Sequence, residues 1–177
     1  GVLLGGASGV PSANVVVIGG GVAGVNAATI AVGMQGNVKI LDTNIAKLRQ
    51  IDTAFQGRID TIASNTFEIE RACLDADLVI GAVLVAGARA PRLVTDELVG
   101  RMKPGAVLVD IAIDQGGCFE SSRPTTHQDP TYPGADTIFY CVANMPGAVP
   151  HTSTYALTNV TLPYAVRLLD LGWQEAL

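Results

Sequence analysis

The chain has 177 residues, with 49% hydrophobic and 15% charged positions, a formal net charge of −5 and a pI near 4.8. That length suits one domain with a real core. The acidic balance, with no basic cluster, argues against nucleic acid or an anionic membrane as partner.

Residues 1–12 are Gly-rich and read as irregular. The first charged side chain is Lys39, so the opening segment needs a membrane check. It lacks the early basic residues of a signal peptide. Gly5-Gly6, Pro11 and Gly19-Gly-Gly21 break any apolar span of the roughly 20 residues a membrane helix requires. The chain opens on Gly1 rather than Met, which points to a piece of a longer protein. Cys73, Cys118 and Cys141 are odd in number, far apart and outside any C-x-x-C pattern. Reduced thiols in the cytoplasm are the simplest account, with a catalytic cysteine the minor alternative.

Residues 15–18 are β-branched and apolar, the composition of a strand buried on both faces. Gly19, Gly21 and Gly24 follow in a G-x-G-x-x-G pattern and lead into a small-residue helix over 22–34. The three glycines are expected to serve different ends. Gly19 permits the tight turn, Gly21 allows close approach to a pyrophosphate, and Gly24 allows close helix-to-strand packing. The helix N-terminus then offers unpaired N–H groups and a positive dipole end to phosphate. The pattern alone is weak in a chain with 20 glycines. Its context strengthens it. Residues 38–41 read as the second strand and Asp42 closes it, 18 residues beyond Gly24. That is near the spacing of a carboxylate that binds adenosine ribose hydroxyls and repels a 2′-phosphate, so NAD is preferred over NADP. The bland alternative is a tight turn with Asp42 as a helix cap.

Asn44 caps a helix over 45–55, in which Ile45, Leu48, Ile51 and Phe55 recur at helical spacing. Residues 59–63 read as a third strand, and Asn65 or Thr66 caps a helix reaching Leu74. The fourth strand is read at 77–83, and 84–93 as a loop. Thr95 caps a short helix to Met102. The fifth strand lies at 106–110. Residues 111–136 are expected to be a long polar loop, which in a compact domain is usually functional or disordered. A sixth strand follows at 137–142. Residues 150–171 are apolar and mostly helical, with Pro163 expected to bend or split the helix. Strands alternating with helices imply parallel pairing and right-handed crossovers. The expected fold is therefore α/β: a Rossmann-type, doubly wound, mostly parallel six-stranded sheet with helices on both faces.

Ligands of such sheets bind at the carboxyl ends of the strands. The residues to inspect are Val22, Asp42, Ser64, Val83, Leu84, Ile111, Ala112, Ile113, Asp114, Val142, Ala143, Asn144 and Met145. Asp114 falls after the fifth strand. A carboxylate there can orient water or exchange protons during hydride transfer, or simply hold backbone N–H groups beside Gly116 and Gly117. Asn144 can bind a carboxamide or cap a helix, and Met145 can pack on a ring or belong to the core. Lys47 and Arg123 are either cofactor contacts or solvated charges. His127 and His151 are too isolated for a metal site, and no metal-ligand spacing is visible.

Several runs carry a resemblance: Ile18-Gly-Gly-Gly-Val-Ala-Gly24, Leu41-Asp42, Ala82-Val-Leu-Val85, Val109-Asp-Ile-Ala-Ile-Asp-Gln-Gly-Gly-Cys-Phe119, Ser122-Arg-Pro-Thr-Thr126, Tyr140-Cys-Val-Ala-Asn-Met-Pro146 and Thr152-Ser-Thr-Tyr-Ala-Leu-Thr-Asn159. Together they resemble bacterial L-alanine dehydrogenase over the whole chain. The fourth and last of these runs are far more specific than the glycine motif. The chain departs at Ala86, where the family has Pro, and at Arg89 or Arg92, where it has Lys.

The resemblance implies interconversion of L-alanine with pyruvate and ammonia using NAD. It implies that Val22 touches the pyrophosphate region, Asp42 the ribose with Lys47 nearby, and that Ser64, Val83 and Leu84 line the adenine and ribose side. Ile111, Ala112, Ile113 and Asp114 would border the nicotinamide, with Asp114 catalytic. Arg123 would reach the cofactor from the long loop, and Val142, Ala143, Asn144 and Met145 would close the pocket. It further implies that residues 1–177 are the NAD-binding domain, with residues 150–177 leading back to a separate N-terminal catalytic domain that holds the catalytic His and the Lys and Arg for the substrate carboxylate. This piece alone would be inactive, and the full enzyme a homohexamer. The competing readings are the NAD-binding domain of a proton-pumping transhydrogenase, a non-catalytic NAD-binding module, and a methyltransferase. The Thr-Ser-Thr-Tyr-Ala-Leu-Thr-Asn run argues against the transhydrogenase.

Overall fold

The computed structural model describes residues 1–85 and 87–176; Ala86, where the chain departs from the family pattern, lies outside the described residues. The chain divides into two compact units, Gly1–Ala143 and Asn144–Leu177.

The first unit is built on one twisted sheet. Its elements run β1 (Asn14–Ile18), α1 (Val22–Gly33), β2 (Asn37–Asp42), α2 (Ile45–Phe55), β3 (Ile59–Ala63), α3 (Thr66–Leu74), β4 (Leu78–Gly81), α4 (Asp96–Arg101), β5 (Val107–Asp110), β6 (Thr131–Gly134) and β7 (Thr137–Tyr140). Among the described residues, seven strands form the sheet in the order β3-β2-β1-β4-β5-β7-β6. All neighbours are parallel except β6 and β7. The fold class is as expected, with one strand more than the six read from the sequence. The extra strand lies inside the stretch expected to be loop, residues 111–136. Its sequence, Thr131-Tyr-Pro-Gly134, holds a Pro and a Gly that mask any strand pattern, and Pro is tolerated because β6 is an edge strand. It turns on Ala135 and Asp136 and pairs antiparallel with β7.

The apolar pattern explains why both faces are covered. Val15 and Val17 face one cluster, with Ala28 and Ala31 of α1 and Leu48, Ile51 and Phe55 of α2. Val16 and Ile18 face the other, with Ile69, Ala72 and Cys73 of α3 and Leu98 and Val99 of α4. Alternate residues of one strand thus bury into opposite layers, as the two-residue period of a strand requires. The capping residues act as expected. Asn44 accepts from Lys47 N–H, Asn65 from Glu68 N–H and Thr95 from Leu98 N–H. Under β7, Phe139 stacks on Tyr132 at 5.1 Å between centroids and meets Phe119 edge-on at 6.0 Å.

The second unit carries a 3-10 turn (Met145–Ala148), α5 (Pro150–Leu171) and α6 (Trp173–Ala176). Of the two outcomes expected at Pro163, bend or split, the split does not occur: α5 runs unbroken through it. The carbonyl of Asn159, four residues back, loses its intrahelical donor there. No residue of α5 is buried; Leu169 is 84% and Tyr164 72% exposed. No helix among the described residues is long and apolar enough to cross a membrane.

Phe139 is fully buried at the junction of β7, β6 and the loop that follows β5. Phe139→Ala should cost about 3–5 kcal/mol of stability. The check is the shift in urea midpoint at unchanged slope; a shift worth under about 1 kcal/mol would mean that this aromatic stack is not a packed core.

Candidate functional site

Because β3, β2, β1, β4, β5 and β7 are parallel, their carboxyl ends share one edge of the sheet. The paired register brings Ile18 beside Leu41 and Gly81, and Gly81 beside Asp110. The chain reverses its direction of winding between β1 and β4, where an α/β sheet opens a crevice. A cleft of about 480 Å³ opens there. Gly19, Gly21, Asp42, Lys47, Ser64, Val83 and Leu84 all line it, seven of the residues singled out from the sequence.

The glycine loop does what each position requires. Gly19 sits at φ +107°, and a Cβ there would lie 2.7 Å from the Ala82 carbonyl oxygen. A Cβ on Gly24 would lie 1.8 Å from the Gly19 carbonyl oxygen, so only glycine lets α1 seat against the end of β1. A Cβ on Gly21 would meet nothing within 4 Å. The backbone there faces open space at the start of α1, whose first-turn N–H groups are unpaired by any side-chain cap. This cradle fits a diphosphate.

Asp42 ends β2 and is the electrostatic centre of the cleft. Its Oδ2 accepts from Gly20 N–H at 2.8 Å and from Lys47 Nζ at 3.2 Å, and its Oδ1 accepts from Asn44 N–H at 2.8 Å. Burial pushes this carboxyl up, but the backbone donors of Asn44 and Gly20, with the Lys47 ammonium, outweigh that and hold it below the ordinary value of 3.8. Asp42 is therefore an anchored, ionised acceptor at neutral pH. The cap alternative is not what the geometry shows: Asn44, not Asp42, caps α2.

The remaining expected residues lie elsewhere. Val22 is 84% exposed at the start of α1, and Gly24 packs beneath the loop. Ile111 follows β5, Ala112 and Ile113 are buried, and Asp114 stands exposed on a 3-10 turn (Ile113–Gln115), its carboxylate unpartnered among the described residues. Arg123 carries its guanidinium 4.2 Å over the Tyr132 ring. Val142 is buried and Ala143 exposed at the end of the first unit. Asn144 and Met145 open the second unit.

Sequence reasoning missed Gly20, Thr43, Pro91 and Leu93. Gly20 had a signal, as the middle of three glycines: a Cβ there would press to 3.2 Å from Asp42 Oδ2 and 3.0 Å from Ile51 Cδ1. Pro91 and Leu93 line the cleft from the β4–α4 loop, which carried no pattern to mark them. The cysteines are free and buried, and burial pushes Cys73 and Cys118 up to about 12. They are thiols at neutral pH, not nucleophiles. Among the described residues no group of acidic, His or Cys side chains could hold a metal ion.

The family model described as "Alanine dehydrogenase/PNT, C-terminal domain" matches residues 1–177. The chain belongs to this family. An alanine dehydrogenase of Mycolicibacterium smegmatis is 65% identical over 176 residues, which cover 99% of this chain and 47% of that protein. A solved L-alanine dehydrogenase superposes with a TM-score of 0.93 at 52% identity, covering 99% of this chain and 48% of its own. A solved transhydrogenase from Sinorhizobium meliloti superposes with a TM-score of 0.73 at 27% identity, over 82% of this chain and 42% of its own. This chain thus spans about half the length of the relatives it matches.

The state of Asp42 has a consequence for acid stability. A carboxyl lowered in the fold contributes stability that is present above its ordinary pKa and lost as pH falls through the folded value. The gap in unfolding free energy between the wild type and Asp42→Asn should therefore shrink as pH drops from neutrality to below 3.8. Urea titrations at fixed pH measure it; a gap that does not change with pH contradicts the ion pair and the donor set around Asp42.

Proposed function

We propose that this chain is the NAD-binding half of an L-alanine dehydrogenase, which oxidatively deaminates L-alanine to pyruvate and ammonia and runs in reverse. The observation that carries the reading is Asp42: an ionised carboxylate at the end of β2, bonded to Gly20 N–H of the glycine loop and lining a cleft of dinucleotide size. Likeness in name and sequence to alanine dehydrogenases along the whole chain supports the substrate. The transhydrogenase reading has the weaker support, at 27% against 52% identity among solved structures.

In this reading the N–H groups around Gly21 and Val22 receive the pyrophosphate, and Asp42 accepts the adenosine ribose hydroxyls with Lys47 beside it. Ser64, Val83 and Leu84 bound the adenine and ribose side. Bound NAD would supply the hydride acceptor. Ile111, Ala112 and Ile113 border the nicotinamide end, and Asp114 orients a water or exchanges protons there. Arg123 reaches the cofactor from the loop after β5, and Val142 and Ala143 close the pocket from the end of the first unit. The catalytic His and the Lys and Arg that hold the substrate carboxylate belong to an N-terminal domain outside this chain. The exposed apolar side chains of α5, among them Leu157, Val160 and Tyr164, suit a helix that packs against the rest of a homohexameric protein. Three free thiols suit the cytoplasm.

Two measurements on the full-length protein test this. Calorimetric titration should show NAD bound more tightly than NADP, and Asp42→Ala should weaken NAD by about 10- to 100-fold, the loss of charge-assisted hydrogen bonds. The same change should narrow the gap to NADP, because Lys47 is left without its carboxylate. Equal binding of NAD by both proteins would remove Asp42 from the site, and no binding of NAD by the wild type would sink the cofactor assignment. Asp114→Asn should lower kcat for alanine oxidation by about 10²- to 10⁴-fold while leaving NAD affinity nearly unchanged; an unaltered kcat would remove Asp114 from the chemistry.

A further inference from the structure

Asp110, the last residue of β5, has no exposed surface and no ion-pair partner among the described residues. Taking a carboxylate out of water without a cation is expensive, so its donors need accounting for. Oδ1 accepts from Ala112 N–H at 3.1 Å. Oδ2 accepts from Cys118 N–H at 2.8 Å and from the Ser122 hydroxyl. An ionised carboxylate accepts on both oxygens without presenting a proton to any of these donors; an amide in its place would turn an NH₂ toward one of them.

These donors flank the turn that carries Asp114. Ala112 precedes it, Cys118 follows it, and Ser122 lies next to Arg123. Gly117, at φ +79°, lets the chain pass over the carboxylate: a Cβ there would lie 2.7 Å from Asp110 Oδ2 and 2.6 Å from Ser122 Cβ. The same stretch also holds the β4–α4 loop. Gln115 O accepts from Ala90 N–H at 2.9 Å and Cys118 O from Leu93 N–H at 2.8 Å. Leu93 in turn lines the cleft. One buried carboxylate therefore ties both ends of the Asp114 turn to each other and, through Cys118, to a wall of the cleft.

We propose that Asp110 is a positioning residue for Asp114: its carboxylate closes the 112–118 loop and fixes where the Asp114 side chain stands relative to the cleft. Burial outweighs the Ser122 hydroxyl and the backbone donors, so the Asp110 carboxyl stands above its ordinary value of 3.8. It remains closed off from solvent and does not itself reach a ligand. This inference rests on the reading of Asp114 as a reacting group.

The test is steady-state alanine oxidation by the full-length protein with Asp110→Asn, Ser122→Ala, Ser122→Thr, Asp114→Asn and the pairs Asp110→Asn/Asp114→Asn and Ser122→Ala/Asp114→Asn. Asn14→Ala, which loses bonds to Asp75 and Asn37 at the far edge of the sheet, controls for stability alone. Asp110→Asn should lower kcat by about 10- to 100-fold, the scale of a reacting group displaced by about 1 Å, with KM for NAD within about threefold. Ser122→Ala should lose less, and Ser122→Thr should restore it. Each pair should be no slower than Asp114→Asn alone, because a residue that acts through Asp114 has nothing left to position. Asn14→Ala should lower the melting temperature at unchanged kcat.

Losses that multiply in the pairs, or a kcat in Asp110→Asn equal to wild type beside a slow Asp114→Asn, overturn the proposal alone. Wild-type kcat in Asp114→Asn overturns the underlying reading and the proposal with it. If Asp110→Asn does not fold, the Ser122 pair decides: full kcat in Ser122→Ala overturns the proposal.

Discussion

The approach of α1 to the end of β1 is the contact on which the rest depends. At Gly24 a single methyl group would stand 1.8 Å from the Gly19 carbonyl oxygen, closer than any side chain can be accommodated. Removing that methyl lets the helix start directly over the strand. The start of α1 then faces the cleft with unpaired N–H groups, and the backbone at Gly20 comes within 2.8 Å of Asp42 Oδ2. A looser seat would leave the loop free to drift from the carboxylate, and the helix dipole would point past any anion. Small residues along α1 continue the same logic: Ala28 and Ala31 are buried against the sheet, and Val15 and Val17 fill the space.

Parallel pairing does the rest. A sheet of six parallel strands collects six carboxyl ends on one edge, so residues far apart in sequence become neighbours without any long-range motif. Asp42 and Ser64 meet because β2 and β3 pair in register, Asp42 opposite Ala63. Val83 and Leu84 meet the glycine loop because β4 lies beside β1, with Gly81 opposite Ile18. The turn with Asp114 follows because β5 lies beside β4. The antiparallel β6 contributes no end to this edge. It covers the side of β7 that would otherwise be an open edge, and its Tyr132 ring stacks on Phe139 and meets the Arg123 guanidinium.

Much of this is legible in the sequence. β-branched runs, helix caps and glycine spacing are local signals, and six of the strands, Asn44, Asn65, Thr95 and the cleft residues Gly19, Gly21, Asp42, Ser64, Val83 and Leu84 follow from them, while Lys47 rests on the family resemblance. What stays hidden depends on contacts between distant segments. β6 has a poor strand composition and exists because β7 offers it a partner. Pro91 and Leu93 reach the cleft because Cys118 holds their loop from 25 residues beyond Leu93 in the chain. Pro163 has the local signature of a helix break, yet α5 continues through it. In the first two cases the deciding interaction lies outside any window a pattern can scan.

Asp42 and Asp110 show how far position alone can carry an argument. Both are the last residue of a parallel strand, both accept backbone N–H groups, and both stand at the edge where ligands bind. Their environments drive them apart. Asp42 has an ammonium at 3.2 Å and retains some exposure, so its charge is held in place and directed at the cleft. Asp110 has no cation and no exposure, so its charge goes to the chain that surrounds it. Beyond these two anchored acids stands Asp114, exposed and unpartnered among the described residues, on the turn Asp110 closes. In the proposed reading Asp114 meets substrate, and its place is then held by its backbone rather than by its own side chain. That division of labour accords with the difference in burial between two aspartates four residues apart.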